Sequence, residues 1–266
     1  MAQHARMETA RAAARRGGAL ALESFREAIP FETGSNKTDV VSAVDREAQR
    51  TVVETIRAEF PDDAVIAEED DASETVPESG AAWIIDPIDG TSNYLRGSRS
   101  WATSVAAVVD GAPVAAVSVF PALEDTYSAG PDGAFRNGEA ISVSDRSDPE
   151  TLVVAPLLWW DHDRRDEYAA ATGAIVRQFG DLIRLRCAQL TLAQVAAGGI
   201  DAAVTNVDPH PWDTVAGVFA IEQAGGTVTD LDGDPWTHAR TGVVASNGEC
   251  HQRVLEAASR ITAARS

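Results

Sequence analysis

Two carboxylates in the stretch WIIDPIDGTSNY (83–94) have a spacing that could bind a metal ion. Asp86 and Asp89 lie three residues apart, directly after an apolar run that is typical of a buried strand. Pro87 restricts the backbone between them, so we expect a tight turn that directs both carboxylates and the Ile88 carbonyl towards one point. Hard cations, above all Mg²⁺, prefer such all-oxygen ligand sets. The stretch therefore predicts a magnesium site at the end of a strand.

The next four residues have the composition of a phosphate-binding loop. Gly90 allows the backbone to approach a ligand closely. Thr91, Ser92 and Asn93 are typical of a helix N-terminus, whose amide groups can hold an anion. Taken alone, the hexapeptide DPIDGT is also compatible with an ordinary turn, because Asp, Pro and Gly are common turn formers.

Two other segments favour a shared acidic site over an ordinary turn. The segment AVIAEED (64–70) ends in Glu68 and Glu69, at the end of another predicted strand. The segment HPWDTVAGVFAIEQAGG (210–226) places Asp213 at the start of an apolar helix. In each segment a carboxylate lies at the edge of a strand or helix, where several elements can converge.

The order of predicted elements indicates an α/β fold. Helices are predicted over residues 3–28, 42–60, 163–178, 188–198, 211–224 and 248–262. Strands are predicted over residues 64–67, 81–85, 102–109, 114–120, 125–129, 151–155, 202–205, 227–230 and 242–245. Runs of strands followed by alternation predict two sheets in a layered arrangement. A boundary near residue 145 would divide an N-terminal half, 1–145, from a C-terminal half, 146–266, within one catalytic unit.

The charge balance argues against two classes of partner. The 266 residues include 41 acidic and 22 basic side chains, which gives a net charge of −19. Nucleic acids and anionic membranes attract positive surfaces, so neither is an expected partner. Lys37 is the only lysine. Its isolation, together with the acidic excess, favours a halophilic protein, in which salt screens charge repulsion, over a merely acidic one.

The remaining composition indicates a cytoplasmic protein. The two cysteines, Cys187 and Cys250, are far apart in sequence, which predicts neither a disulfide framework nor a zinc site. The apolar stretch 101–120 is interrupted by Asp110 and Gly111, which is typical of a hairpin and not of a membrane span. The N-terminal segment has the pattern of an amphipathic helix and not of a signal peptide.

The segments DPIDGTSNY, AEED and PWDTVAGVFAIEQAGG resemble the three signature segments of the inositol monophosphatase family of Mg²⁺-dependent, Li⁺-sensitive phosphomonoesterases. The resemblance covers nearly the whole chain, from NKTDVVSAVDREAQ (36–49) through AQVAAGGIDAAV (193–204) to the last strand. It implies a five-layer α/β/α/β/α sandwich of the type shared with fructose-1,6-bisphosphatase, a homodimer, and two or three Mg²⁺ ions per site. The acidic composition further favours a haloarchaeal member of the family.

The resemblance also implies a set of metal ligands. Asp86 would bridge two cations. Glu69 and the Ile88 carbonyl would complete one cation site, and Asp89 and Asp213 would complete the other. Glu69 would also hold a third cation through water.

Three further roles follow from the same resemblance. Thr91 and Asp45 are similar to the pair that orients the attacking water. The amides of Gly90 and Thr91 are similar to the phosphate cradle. Lys37 lies where the family often has a lysine near this loop, which makes it a candidate substrate contact.

The resemblance is weaker at the residues that recognise the substrate. The segment RCAQ (186–189) shares only Ala188 with the Gly-Thr-Ala-Ala or Gly-Ser-Ala-Ala of the animal enzymes. The inositol-binding Glu of the family has no equivalent in VTNVDPHPWD, which leaves Asn206 or Asp208 as substitutes. Arg186 is a further candidate contact. The metal chemistry therefore transfers better than inositol recognition.

Several functions remain open at this point. Inositol 1-phosphate or a related sugar monophosphate leads, because DGTSNY is close to the family's DGTTNF. Fructose 1,6-bisphosphate is the alternative, since archaeal members combine both activities, and Arg164, Arg184 and Arg186 could bind a second phosphate. A 3′-phosphoadenosine 5′-phosphate phosphatase ranks third, because such enzymes tend to have Lys-Glu-Phe after Asp-Gly-Thr. A catalytically idle, metal-dependent binding module is disfavoured by retention of the acidic residues and Thr91.

Overall fold

The computed structural model describes residues 2–27, 31–33, 40–69 and 75–262, so Lys37 lies outside the described residues. The helices are α1 (Ala2–Glu23), α2 (Ala43–Glu59), α3 (Thr91–Leu95), α4 (Arg165–Gln178), α5 (Ala188–Ala196), α6 (Pro211–Gln223) and α7 (His251–Thr262). The strands are β1 (Phe31–Thr33), β2 (Val40–Ser42), β3 (Ala64–Ala67), β4 (Ala81–Asp89), β5 (Ala102–Val109), β6 (Ala112–Phe120), β7 (Asp125–Gly130), β8 (Gly133–Arg136), β9 (Glu139–Ala140), β10 (Val153–Pro156), β11 (Asp181–Leu182), β12 (Ala202–Thr205), β13 (Thr227–Thr229) and β14 (Val243–Ser246).

The first large sheet has seven strands in the order β3-β4-β5-β6-β7-β8-β9. β3 and β4 are parallel, and the other neighbouring pairs are antiparallel. Asp110 and Gly111 connect β5 to β6 with φ angles of 51° and 76°. Positive φ at both residues suits a two-residue hairpin turn, because its twist matches that of the strands. The predicted hairpin is therefore present in this part of the chain.

The second large sheet has five strands in the order β11-β10-β12-β14-β13. β10 pairs in parallel with both β11 and β12, whereas β14 is antiparallel to β12 and β13. The strands Val153–Pro156, Ala202–Thr205 and Val243–Ser246 are almost completely buried. Continuous apolar runs of this kind are expected where helices cover both faces of a sheet.

The helices and the two sheets form a five-layer α/β/α/β/α sandwich. α1 and α2 cover the outer face of the seven-stranded sheet, and α4 and α7 cover the outer face of the five-stranded sheet. α5 and α6 lie between the sheets. α6 is apolar around most of its circumference because both of its sides are buried. At Gly217 of α6, a Cβ atom would lie 2.5 Å from Leu192 Cβ of α5, so glycine permits the close contact of these helices.

The predicted elements agree with this arrangement, apart from short strands, the short helix α3 and the end of the first helix, which was predicted to reach residue 28 but ends at Glu23. β8, β9 and β11 have two to four residues and were not predicted, because such short segments show no alternation of apolar and polar side chains. The two large sheets are formed by residues 64–140 and 153–246, on either side of the boundary expected near residue 145. None of the described helices is both long and apolar enough to cross a membrane.

Candidate metal centre

A β-bulge brings the carboxylates of Asp86 and Asp89 to the same side of the sheet. Ordinary alternation would place residues three apart on opposite faces. Asp86 pairs with Ser104 and Asp89 pairs with Ala102, so three steps along β4 match only two along β5. This extra residue restores Asp89 to the face of Asp86. The sequence predicted a turn here, but the strand continues to Asp89.

A buried hydroxyl group fixes the backbone of the bulge. Thr103 Oγ1 donates a hydrogen bond to the Pro87 carbonyl oxygen at 2.7 Å, and Thr103 is fully buried. Pro87 itself has no N–H to donate to the neighbouring strand, which suits an irregular position in the ladder. Thr103 and Pro87 therefore stabilise the bulge, and the bulge positions both carboxylates.

Asp213 joins the two strand residues from the first turn of α6. One carboxylate oxygen from each of Asp86, Asp89 and Asp213 lies within 4.8 Å of the other two. Asp86 and Asp89 are only 2% and 6% exposed. The backbone N–H of His210 donates to Asp213 Oδ2 at 3.3 Å and holds this carboxylate at the helix N-terminus. The three aspartates selected from the sequence thus form one cluster.

The fourth carboxylate in contact with this cluster belongs to Glu68, not to Glu69 as expected. The parallel register pairs Ile66 with Ile84, and continuing it by two residues places Glu68 opposite Asp86 on the same face. The carboxyl groups of Glu68 and Asp86 are close enough to share a hydrogen bond. The next residue faces the other side, where the Glu69 N–H donates to Gln49 Oε1 of α2 at 2.9 Å. Strand alternation was the signal that could have identified Glu68.

The protein environment disfavours ionisation of these four carboxyl groups. Burial, reinforced by neighbouring carboxylates, raises the pKa of Glu68 and Asp86 well above the usual range. Burial also raises the pKa of Asp89, although hydrogen bonds oppose this effect. Burial and the charge of Asp89 raise the pKa of Asp213 to about 7. When these carboxyl groups ionise, no basic side chain among the described residues forms a salt bridge with them.

A divalent cation fits this cluster. Within the described part of the chain, Asp86 Oδ1 and Glu68 Oε2 are buried and have no hydrogen-bond donor when both carboxyl groups are ionised. Buried acceptors are almost always paired, and an unpaired carboxylate oxygen is especially costly. The ligand atoms here are oxygens, which Mg²⁺ and Ca²⁺ prefer over nitrogen or sulfur. A cation would therefore pair these atoms and offset the repulsion among the carboxylates.

The N-terminus of α5 holds Asp89 in place. The Asp89 carboxylate accepts hydrogen bonds from Cys187 Sγ at 2.9 Å and from the backbone N–H groups of Ala188 at 3.1 Å and Gln189 at 2.6 Å. Helix N-termini favour negative charge, so α5 stabilises this carboxylate. Ala188, selected as a substrate contact, therefore has its N–H directed at Asp89.

Thr91 and Asp45 lie at the opposite edge of the cluster. Thr91 Oγ1 donates to the Ile88 carbonyl at 3.0 Å and is 3.5 Å from Asp45 Oδ1. Asp45 lies in the first turn of α2 and is fully buried. The structure therefore brings together the two residues selected from the sequence to orient water, next to the carbonyl selected as a metal ligand.

Asn93 joins the loop that follows Asp89 to the other half of the molecule, a role that sequence reasoning missed. Its side-chain Nδ2 lies within hydrogen-bond distance of the carbonyl oxygens of Ser100 and Leu185, both at 2.8 Å, and of Arg186 at 3.2 Å. Asn93 is 6% exposed, so these bonds replace lost hydration. An Asn in a helix N-terminal pattern signals only a local cap, and contacts across 92 or more residues have no local signal.

Gly90 is expected to tolerate no side chain. Its φ of 86° is left-handed, and a Cβ atom would lie 3.0 Å from the Ser100 carbonyl oxygen and 3.1 Å from Cys187 Cβ. Gly90→Ala should therefore lower the free energy of unfolding by more than the about 1–2 kcal/mol of left-handed backbone strain. Urea unfolding in the presence of Mg²⁺ measures this loss.

Gly80 provides a matched control for this substitution. Its φ is also 86°, but a Cβ atom there would meet no atom within 4 Å. Gly80→Ala should cost only the backbone strain, because it adds no contact. If Gly90→Ala were no less stable than Gly80→Ala, the close packing around Gly90 would be contradicted.

A cavity of about 420 Å³ opens above Asp89 and Asp213. This volume is in the range of small-ligand sites. The lining residues are Asp89, Leu158, Trp159, Asp161, Arg184, Arg186, Cys187, Ala188, Val207, Asp208, His210 and Asp213. Leu158 and Arg186 have φ angles of 61° and 59°. Left-handed backbone at non-glycine residues is costly and is concentrated at functional sites.

The three arginines considered for a second phosphate have different surroundings. Arg186 lines the cavity, its Nη2 donates to Ser92 Oγ at 2.9 Å, and its guanidinium lies 5.4 Å from the Trp159 ring. Arg184 also lines the cavity, but it donates to the carbonyl oxygens of Pro156 and Leu158 and so fixes the wall. Arg186 is therefore better placed than Arg184 to contact a ligand.

Arg164 and Asn206 belong to a buried network outside this lining. Arg164 donates through Nε to Glu167 Oε1 at 2.9 Å and through Nη2 to Oε2 at 2.6 Å. Asn206 donates to Glu167 and accepts from Trp160 Nε1 at 2.6 Å. Asn206 is 3% exposed. The structure thus does not bring Asn206 into the cavity, whereas Asp208, the other candidate, lines it.

Comparison with known proteins agrees with this geometry. The model of the inositol monophosphatase family matches residues 3–263. The chain belongs to this family. It is 36% identical over 229 residues to a fructose-1,6-bisphosphatase/inositol-1-monophosphatase of Thermotoga maritima, covering 84% of each chain. It is 30% identical over 244 residues to an inositol-1-monophosphatase of Bacillus subtilis, covering 91% of this chain and 92% of that protein.

The fold of this inositol monophosphatase family member also matches solved structures. A Thermotoga maritima IMPase superposes with a TM-score of 0.89 at 32% identity, covering 97% of this chain and 98% of the other. Membership in this family indicates phosphatase activity. The family's general dependence on Mg²⁺ agrees with the oxygen-rich cluster.

Proposed function

We propose that this protein is a Mg²⁺-dependent phosphomonoesterase that hydrolyses inositol monophosphate or a related sugar monophosphate. The observation that carries the proposal is the cluster of buried carboxylates with unpaired oxygens beneath a cavity of about 420 Å³. A cluster of this kind suits a cation, and the cavity suits a small phosphate ester. The names of the two curated relatives support the same substrate class.

The proposed cation ligands come from three places: the residue that follows β3, strand β4 and the first turn of α6. They are the carboxylates of Glu68, Asp86, Asp89 and Asp213, together with the Ile88 carbonyl. Glu68 replaces Glu69 in this set because its carboxyl group contacts Asp86. Bound Mg²⁺ would supply charge stabilisation for phosphoryl oxygens and acidify a coordinated water.

Thr91 and Asp45 are proposed to position the attacking water. Thr91 Oγ1 lies between the Ile88 carbonyl at 3.0 Å and Asp45 Oδ1 at 3.5 Å, so its hydroxyl orientation is restricted. A hydroxyl held in this way can hydrogen-bond a water molecule, and the adjacent Asp45 carboxylate can accept a proton. Asp45 is fully buried, whereas Thr91 is partly exposed, so a water molecule can reach the Thr91 hydroxyl.

The start of α3 is proposed to hold the phosphate. The first N–H groups of a helix have no intrahelical acceptor. They point out of the N-terminal end, where they can bind an anion. Gly90 and Thr91 occupy this position, and Gly90 allows an oxyanion to approach the backbone. Asn93 keeps this loop against residues 185–186, which border the cavity. We infer that the Gly90 and Thr91 amides face the carboxylate cluster.

Phosphate release from a panel of esters tests the proposed function. Inositol 1-phosphate, glucose 1-phosphate, fructose 1,6-bisphosphate and 3′-phosphoadenosine 5′-phosphate would be compared in molar KCl, with Mg²⁺ or with EDTA. We expect Mg²⁺-dependent release that is fastest with a sugar or inositol monophosphate. A folded protein that releases no phosphate from any of the four would contradict the proposal and favour an idle binding module.

Fructose 1,6-bisphosphate is the second candidate, because Arg186 is a cavity cation beyond the cluster. If Arg186 contacts a second phosphate, Arg186→Ala should raise KM for the bisphosphate by about 10- to 100-fold, the effect of losing a hydrogen bond to a charged group. The KM for inositol 1-phosphate should change much less. Steady-state kinetics with both substrates measures the difference.

Arg177→Ala serves as the charge-matched control. Arg177 lies on α4, and its Nη1 donates to the Gly173 carbonyl of the same helix at 3.1 Å, away from the cavity. This variant should leave both KM values unchanged. Equal effects of Arg186→Ala on the two substrates would contradict a role for Arg186 at a second phosphate.

A further inference from the structure

Trp159 is exposed at the cavity wall, although the next residue in the chain is buried. Trp159 is 36% exposed, whereas Trp160 is 1% exposed and its Nε1 donates to Asn206 Oδ1 at 2.6 Å. Leu158, which precedes them, has a left-handed φ of 61°. This conformation is unfavourable for a leucine. The strained backbone therefore accompanies an arrangement that buries one tryptophan and leaves the other at the cavity.

Arg186 lies against the exposed tryptophan. Its guanidinium is 5.4 Å from the centroid of the Trp159 ring, within the range of a cation–π interaction. Its Nη2 also donates to Ser92 Oγ of α3 at 2.9 Å. The backbone of Arg186 is left-handed as well, with a φ of 59°. Both left-handed residues of the cavity wall, Leu158 and Arg186, thus adjoin or form this contact, as expected where strain serves a function.

The Arg186 guanidinium keeps N–H groups for a ligand. Among the residues that the structure describes, no carboxylate forms a salt bridge with it. Ser92 accepts from one end of the guanidinium, which has five N–H donors. Two adjacent donors of an arginine match two oxygens of a phosphate group. Arg186 is therefore equipped to bind a phosphate while it remains in contact with Ser92.

The position of this guanidinium suits a second phosphate group more than the first. Ser92 directly follows Gly90 and Thr91, whose amides are proposed to hold the first phosphate. Trp159 lies at the exposed side of the cavity wall. The guanidinium contacts both side chains, so it extends from the first phosphate loop towards the exposed end of the cavity. A second phosphate group on the same sugar would lie in this direction.

The indole ring limits the positions that the guanidinium can take. A free arginine side chain has many rotamers, and fixing it on a ligand costs conformational entropy. Contact with the ring attracts the guanidinium and restricts it before a ligand binds. A preorganised cation gives up less entropy when the ligand arrives, so it binds more tightly than a mobile one. Trp159 can therefore raise the affinity for an anion that it does not touch.

We propose that Trp159 is a positioning residue that holds the Arg186 guanidinium for the second phosphate group of a sugar bisphosphate. The contact between these two side chains sets the selectivity of the site between bisphosphates and monophosphates. This inference rests on the proposed function, because the first phosphate must occupy the site beside the carboxylate cluster.

Steady-state kinetics of Trp159→Leu test the inference. The KM for fructose 1,6-bisphosphate should rise about 3- to 30-fold, the effect of losing a cation–π interaction, while kcat changes little. The KM for inositol 1-phosphate should rise less, because this ester has no second phosphate. Trp159→Phe retains an aromatic face and should recover most of the affinity for the bisphosphate. Equal increases in KM for the two esters would overturn the inference.

A double-mutant cycle shows whether Trp159 acts through Arg186. Trp159→Leu combined with Arg186→Ala should raise the KM for the bisphosphate no further than Arg186→Ala alone, because the ring then has no guanidinium to hold. Additive effects of the two substitutions would contradict the positioning role. Trp159→Met, which also lacks a ring, provides the same test if Trp159→Leu fails to fold.

Calorimetry separates this inference from the proposed function. A protein without turnover consumes neither ester, so the Kd of each ester can be measured in the presence of Mg²⁺. Preferential binding of the bisphosphate that disappears in Trp159→Leu would then support the inference and contradict the phosphatase. Turnover with KM values that do not depend on Trp159 would do the reverse. A wild type that neither hydrolyses nor binds fructose 1,6-bisphosphate would also overturn the inference.

Discussion

Asp86→Asn is expected to reduce Mg²⁺-dependent phosphate release by about 10²- to 10³-fold, the usual effect of removing one preorganised electrostatic contact. Asp86 contacts Glu68 and shares a 4.8 Å cluster with Asp89 and Asp213, so its loss affects every proposed cation position. The amide keeps the shape of the side chain and removes only its charge. Initial rates at saturating Mg²⁺ measure the effect.

Thermal unfolding in EDTA distinguishes this loss from misfolding. Burial and the neighbouring Glu68 carboxylate raise the pKa of Asp86, which means that its ionised form destabilises the metal-free protein. Asp86→Asn should therefore melt at a higher temperature than the wild type in EDTA, while gaining less stability from Mg²⁺. The exposed Asp132 provides the matched control, and Asp132→Asn should behave as the wild type in both assays. Full activity in Asp86→Asn would contradict the metal centre.

The metal-free protein is expected to lose stability as the pH rises from about 4 to about 7. Burial and the Asp89 charge raise the pKa of Asp213 to about 7, whereas an unfolded aspartate titrates near about 4. A raised folded-state pKa stabilises the fold fully below the unfolded value, and this contribution is lost as the pH passes through the folded value. For Asp213 the loss is of the order of 4 kcal/mol. Urea unfolding in EDTA at pH 5 and pH 7.5 would measure a little more than half of this loss, because the loss begins near the unfolded pKa of about 4.

The comparison with Asp213→Asn isolates this contribution. Burial lowers the pKa of His238 and His251, and these groups act in the opposite direction because their neutral forms are favoured in the fold. They are present in both proteins, so the difference between the two pH profiles removes their effect. Saturating Mg²⁺ should restore wild-type stability at pH 7.5, by about 3 kcal/mol at 100 times the dissociation constant. Identical pH profiles for wild type and Asp213→Asn would contradict the raised pKa.

The sequence predicts several strands well because they are short, nearly continuous apolar runs. The spans 64–67, 102–109 and 202–205 agree with the strands of the structure. Their apolar side chains are buried on one or both faces, which gives a signal within a few residues. The short edge strands 139–140 and 181–182 bury little and carry no such signal.

The candidate site was predictable in its aspartates but not in its geometry. Characteristic motifs flank Asp86, Asp89 and Asp213 in the sequence, and the structure places all three aspartates together. The bulge between Asp86 and Asp89 depends on pairing with β5, which only the folded sheet determines. The sequence pointed to Glu69, whereas the structure places the carboxyl group of Glu68 against Asp86, a difference that depends on strand register.

Substrate contacts were the least predictable part, because the cavity wall is formed by loops. Asn206 and Asp208 are two residues apart, yet one is held by Trp160 and Glu167 and the other lines the cavity. Neither periodicity nor residue type distinguishes them. Loop residues of this kind take their positions from distant contacts, which a single sequence does not reveal.

Anomalous diffraction from a crystal grown with Mn²⁺, a hard cation that can replace Mg²⁺ at oxygen sites, tests the proposed metal centre. We expect strong anomalous peaks within coordination distance of Asp86, with Glu68, Asp89 and Asp213 among the ligands. Peaks located only elsewhere on this acidic chain, with ordered carboxylates and no Mn²⁺ at Asp86, would contradict it.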